Sequence, residues 1–206
     1  MRVMATVLAA LLLLAACGGS EASADRTPHF VDETASSGLD HRYDGEFEFF
    51  VGGGVAAFDC DDDGRDELFL AGGTEPAALF HNDSVVGGAL SFSPVPSPVT
   101  DLPSVTGGYP LDLDSDGQTD LVVLGRDGDV VLRGLCECRF EPADDELGLD
   151  LPSGWTTAFS ATWEESNVLP TLAFGRYLTA DREGCDDSWL LRPAESGDAY
   201  AAPIAL

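Results

Sequence analysis

Two nine-residue acidic stretches constrain the fold most: DCDDDGRDE at residues 59–67 and DLDSDGQTD at residues 112–120. They stand at equivalent places in two longer segments, VGGGVAAFDCDDDGRDELFLAGG (51–73) and GGYPLDLDSDGQTDLVVLG (107–125). A third segment, WTTAFSATWEESNVLPTLAFG (155–175), aligns more loosely, with its loop placed to start at Ser160. Starts at Asp59, Asp112 and Ser160 are 53 and 48 residues apart. A period near fifty residues is the length of a four-stranded blade with its connections.

The stretches downstream of the loops repeat as well. AALFHND and LSFSPV come after the first, DVVLRG and CRFEP after the second, SWLLRP and AYAAPIA after the third. Each unit therefore reads as four short strands rich in Val, Leu, Phe and Ala, bounded by Gly, Asp and Pro. No stretch of the mature chain keeps a helical period for three turns before a glycine or proline interrupts it. The expected fold is all-β, a β-propeller of four-stranded blades with about three blades present as a partial ring. A β-sandwich of similar strands accounts less well for a repeat centred on loops.

Alternate carboxylates in a tight loop converge on one point, and glycine at the sixth position, Gly64 or Gly117, permits the sharp turn. The first loop offers Asp59, Asp61, Asp63 and Glu67, with the carbonyl of Arg65; the second offers Asp112, Asp114, Asp116 and Asp120, with that of Gln118. Hard, charged oxygen donors suit calcium, and about two ions are expected. An EF-hand needs a carboxylate at position twelve on a departing helix, but Leu70 and Val123 stand there in strand-like runs. The ninth residue closes the ring instead, which makes this a β-loop-β site. In the third segment Ser160, Thr162 and Glu164 fall at the first three ligand positions and Glu165 replaces the glycine. Its closing residue is Thr171 after an insertion, and no metal is expected there.

Charge and the N-terminus bound the partners. Acidic residues number 37 against 10 basic ones, none of them lysine, for a net charge of -27. Such a surface repels nucleic acid and anionic headgroups. Arg2 followed by an apolar run from Val3 to Leu14 reads as an export signal too short to span a bilayer. Leu14-Ala15-Ala16-Cys17 matches the bacterial lipobox, so Cys17 is the expected lipidation site and the membrane a partner through that anchor. Secretion after ordinary cleavage is the alternative. The organisation expected is a signal peptide at 1–16, a lipidated flexible tether at 17–28 and the partial propeller at 29–206. The last divides into an N-terminal closing strand within 29–45 and blades at about 46–98, 99–148 and 149–206. Export puts Cys60, Cys136, Cys138 and Cys185 in an oxidising compartment, where they read as up to two disulfides of unassigned connectivity. Cys136 and Cys138 read as neighbouring strand positions reaching different partners.

The units FVGGGVAAFD, LFLAGG and LDLDSDGQTDLVVLG resemble FG-GAP repeats of the VCBS and integrin-α-propeller type. With FVDETASSGL ahead and the third segment behind, the order over residues 29–206 is similar to bacterial relatives of cartilage acidic protein. The resemblance implies that metal stabilises the blade hairpins and that the protein acts in adhesion or extracellular binding, with a protein or glycan ligand. It also implies rings of about seven blades. The present chain is then expected to be a truncated propeller, or one completed by a second chain or by further C-terminal sequence, with residues 30–34 as a strand of the ring-closing blade. The competing readings are a propeller hydrolase or lyase and a purely structural envelope lipoprotein. His29, His41 and His81 are the available imidazoles, no G-x-S-x-G elbow is present, and an enzyme is not expected.

Overall fold

Short apolar runs punctuated by Gly, Asp and Pro become short antiparallel strands, because each run has one face to bury and a turn on either side. The structure, a computed structural model, describes residues 28–143, 147–164 and 167–206. The signal segment, Cys17 and most of the tether lie outside the described residues. The chain divides into units 1–32 and 33–206, and the propeller blades belong to the second.

A 3-10 turn, Phe47–Phe49, precedes three four-stranded sheets. The first contains β1 (Val55–Phe58), β2 (Glu67–Leu70), β3 (Ala78–Asn82) and β4 (Phe92–Pro94). The second contains β5 (Val105–Leu111), β6 (Asp120–Gly125), β7 (Val130–Leu135) and β8 (Arg139–Pro142). The third contains β9 (Thr156–Thr162), β10 (Thr171–Arg176), β11 (Trp189–Leu191) and β12 (Ile204–Ala205). Within each sheet, spatial order follows chain order and every pairing is antiparallel. The first strands lie side by side, β1 against β5 and β5 against β9. These are the blades of a propeller arranged as an open arc.

The middle blade shows what drives the stacking. Every residue of β6 is buried, and its side chains alternate between two cores. Leu121 and Val123 join Ala56, Phe58 and Phe69 of blade 1, whereas Val122 and Leu124 join Leu172, Phe174 and Leu191 of blade 3. Period-two alternation in a strand covered on both faces yields this near-continuous apolar run. The far face of blade 1 is different: Val55 is 61% exposed and Leu68 and Leu70 are half-buried.

Glycine lets the inner strands approach each other. A Cβ on Gly108 would stand 2.6 Å from the Phe69 ring, and one on Gly54 would stand 3.1 Å from the Gly107 Cα. Hydrogen bonds cross the junctions where the strands come close: Gly53 N–H donates to Thr106 O at 3.1 Å, and the Thr106 hydroxyl donates to Thr156 O at 2.8 Å. At the junction of blades 2 and 3, Asp129 accepts from Thr156 Oγ1 at 2.7 Å and lies 3.7 Å from the buried Arg176 guanidinium.

Two expectations are corrected here. The lead-in contains no strand among the described residues 28–45, and its bridge joins Asp44 to Gly73. From Glu33 onward its backbone follows blade 1, where Phe92 N–H donates to Ser37 O at 2.7 Å. The outer place of the third sheet is filled by β12. The second correction concerns the Cys136–Cys138 segment. It is the tight turn between β7 and β8, with positive φ at Glu137 and Cys138, and is not part of a strand. Cys138 is bonded to Cys60 across the junction of blades 1 and 2, and Cys136 and Cys185 are free and exposed.

Candidate metal centre

Each acidic loop joins the first two strands of its blade, so its ends are held by the ladder. Phe58 pairs with Glu67, and Leu111 pairs with Asp120. Eight residues must then turn the chain around, which they do by folding onto their own carboxylates. In the first loop Asp59 accepts from Asp63 N–H at 3.1 Å and from Gly64 N–H at 2.8 Å. In the second, Asp112 accepts from Asp116 N–H at 3.1 Å and Gly117 N–H at 3.1 Å. The third-position residues, Asp61 and Asp114, accept from the same fifth-position amides at 3.2 and 3.1 Å. The fifth-position carboxylates accept from Arg65 N–H at 2.9 Å and Gln118 N–H at 2.8 Å.

Both loops also pass through left-handed backbone at the same two places. Asp62 and Ser115 have φ of 62° and 63°, and Gly64 and Gly117 have φ of 83° and 88°. A Cβ on either glycine would meet nothing within 4 Å, so glycine serves the conformation here and not the space.

The ninth-position carboxylates brace the loop from beneath. Asp120 accepts from Leu113 N–H at 2.7 Å and from Gly134 N–H on β7 at 2.8 Å. Glu67 makes the same pair of contacts, with Cys60 N–H at 3.0 Å and Asn82 N–H at 3.3 Å. Both residues are buried, and loss of water pushes the Asp120 carboxyl up to about 6, with Asp114 and Asp116 adding to it. Desolvation likewise raises Glu67. Its Oε2 lies 3.4 Å from Cys60 Sγ, a van der Waals contact because a disulfide sulfur has no proton to donate.

Carboxylate oxygens of Asp59, Asp61 and Asp63 come within 4.8 Å of one another, as do those of Asp112, Asp114 and Asp120. Asp116 is not in the second group, and Glu67 meets Asp61 and His81 in a set of its own. Three negative oxygens at that spacing repel unless a cation lies among them, and an all-oxygen charged donor set fits a hard divalent ion. Arg65 contributes more than the carbonyl expected of it: its guanidinium pairs with Asp63 and its Nε donates to Asn82 O at 2.9 Å.

The third loop is corrected by its register. Thr162 pairs with Thr171, as Phe58 does with Glu67. The loop therefore starts at Trp163, not Ser160, and holds eight residues like the others, with no insertion. Ser160 and Thr162 lie within β9. Tryptophan stands where Asp59 and Asp112 stand, and Thr171 at the closing position donates its hydroxyl to Glu164 Oε1 at 2.8 Å. Sequence reasoning also missed three side chains that face the loops from the third strands, His81, Arg133 and Arg192. Each directly follows the apolar run of its strand (LFH, VLR, LLR), a signal that was there to be used.

Three four-stranded antiparallel blades, joined inner strand to inner strand, make this an all-β protein of the propeller class in partial form. Within it, residues 59–133 match the family model for an FG-GAP-like repeat. The match runs from Asp59, the first residue of loop one, to Arg133 and stops short of the third loop. No curated protein matches the chain.

Proposed function

We propose that this chain is a calcium-stabilised binding or adhesion module built on FG-GAP repeats, held at the outer face of the cell envelope by a lipid on Cys17. One observation carries the metal assignment: two loops, within the matched family segment, fold with the same hydrogen-bond pattern around converging carboxylates. Asp59, Asp61, Asp63 and Glu67 would hold one ion, and Asp112, Asp114, Asp116 and Asp120 the other, with the carbonyls of Arg65 and Gln118. The ion would neutralise the loop and lock the hairpin between the first two strands of its blade. On this reading the protein is allied to bacterial relatives of cartilage acidic protein and carries no catalytic function. Its ligand is a protein or a glycan.

A binding role is also supported at the other end of the blades. A cleft of about 410 Å³ there is lined by Arg126, Asp127, Trp155, Thr179, Arg182 and Asp186 among others. It mixes charges of both signs with an indole, a surface that suits a polar ligand.

Thermal melts with calcium and with chelator test the metal assignment. Calcium at a hundredfold excess over Kd is expected to add about 2.7 kcal/mol for each site filled. Calorimetry is expected to count two ions, and one after Asp112→Ala with Asp116→Ala. Superimposable melts would remove calcium from the account. Membrane fractionation of Cys17→Ser tests the anchor, with release to the soluble fraction expected and unchanged partitioning against it.

A further inference from the structure

Each blade places a basic side chain at one register position. Leu68 pairs with Phe80, Leu121 with Leu132, and Leu172 with Leu191. One step further along, His81 stands across from Glu67, Arg133 from Asp120, and Arg192 from Thr171. All three reach into the loop between the first two strands. His81 Nε2 lies 3.1 Å from Asp61 Oδ2. Arg133 spans two carboxylates, with Nε 3.4 Å from Asp114 Oδ2 and Nη2 3.2 Å from Asp116 Oδ2. Arg192 Nη2 lies 3.7 Å from Glu164 Oε1.

The three loops differ in what these side chains meet. In blade 3 the first ligand position is Trp163, and one loop carboxylate, Glu164, is met by a hydroxyl and a guanidinium. In blade 2 the full ligand set is present, yet one guanidinium bridges its third and fifth positions. In blade 1 that bridge is broken into separate contacts: Arg65 of the loop itself takes Asp63, and His81 meets Asp61 through Nε2 while its Nδ1 lies 2.8 Å from Asp83 Oδ1. An arginine is charged at every accessible pH and holds two carboxylates at once, whereas an imidazole nitrogen holds one. A guanidinium on Asp114 and Asp116 must share or surrender them when a dication enters, and like charges at that range repel.

We propose that this third-strand position is a built-in cation seat: Arg133 competes with calcium for the blade-2 loop, and Arg192 takes the place of the ion in blade 3. The proposal rests on the calcium assignment above. It makes Arg133 an affinity-setting residue, and it explains how the third loop keeps its hairpin without ligands.

Calcium chloride alone, titrated calorimetrically into the full chain, tests the proposal. Asp59→Asn with Asp61→Asn silences blade 1, so that the blade-2 site is read by itself. Arg133→Gln is then expected to tighten that site roughly tenfold, by removing a positive charge from beside a dication. Arg133→His, which copies blade 1, is expected to tighten it several-fold. A merely structural role for Arg133 would weaken binding in both. Unchanged or weaker binding in whichever variant keeps the parent circular dichroism overturns the competition and leaves the calcium assignment standing. No calcium binding in the unsubstituted chain overturns both. Arg192→Gln is expected to leave the ion count at two while lowering the melting temperature in chelator. A changed count, or an unchanged melting temperature, overturns the stand-in role.

Discussion

The loops of blades 2 and 3 have the same length, join the same pair of strands and face an arginine on the third strand, yet they are held together differently. In blade 2 the chain turns on carboxylates: Asp112 gathers two amides, and Asp120 ties the loop base to β7. In blade 3 the closing residue is a threonine hydroxyl on Glu164. The hairpin survives without the acidic ladder because the strand pairs on either side impose its geometry, with Arg192 standing against Glu164 in the loop. The ladder adds a concentration of charge, which is useful only if a cation is there to be bound. A β-loop-β hairpin and an acidic ladder are therefore separable properties of one blade.

The largest test of this separation lies at the first loop, where Cys60 is bonded to Cys138 of blade 2 across 78 residues of chain. Closing a loop of that length removes about 4 kcal/mol of unfolded-state entropy in the chain-entropy model. Replacing both cysteines by alanine is expected to cost an amount of that order in urea denaturation, whether or not calcium is present. A loss below about 1 kcal/mol would show that the blade junction is held by packing alone.

A smaller effect separates the closing residues. Asp120→Ala leaves the amides of Leu113 and Gly134 without an acceptor in a buried place and, with calcium present, is expected to cost about 3 kcal/mol. Thr171→Ala in blade 3 is expected to cost about 1 kcal/mol. Equal losses would mean that the two loops are braced alike. The pH dependence in chelator sharpens the contrast. Burial holds the Asp120 carboxyl at about 6, above its ordinary value, so its contribution is complete in acid and is lost as pH rises through about 6. The cost of Asp120→Ala in chelator is thus expected to be larger at pH 5 than at pH 7. The opposite trend would show that the carboxylate is better accommodated ionised.

The smallest effect belongs to Glu164, which is partly exposed and faces an exposed arginine. Glu164→Gln keeps an acceptor for the Thr171 hydroxyl and is expected to change stability by about 0.5 kcal/mol, as exposed pairs do. Its calcium stoichiometry is expected to match that of the parent. A lost ion would make blade 3 a metal site after all.

Local chemistry explains how much of this was legible. Carboxylates at alternate positions followed by glycine act on amides within five residues, so both acidic loops, and strands leaving them on either side, follow from short stretches of chain. The two-faced burial of β6 is also written in its unbroken Leu-Val-Val-Leu run. The third loop had no acidic ladder to anchor an alignment. Its start at Ser160, three residues early, and the insertion needed to reach Thr171 are both removed by one strand pair.

By itself the sequence determined the strand-forming segments, the repeat of four strands per blade, and the two loops whose carboxylates turn inward, because each depends on neighbours along the chain. Only the tertiary structure decided which cysteine meets Cys60, that residues 33–45 follow blade 1 without forming a strand, and that His81, Arg133 and Arg192 share one register position beside the loops. Those contacts form across strand pairs and blade junctions. There a shift of register by a single residue would turn every side chain to the opposite face, and only the packing of whole blades selects one register.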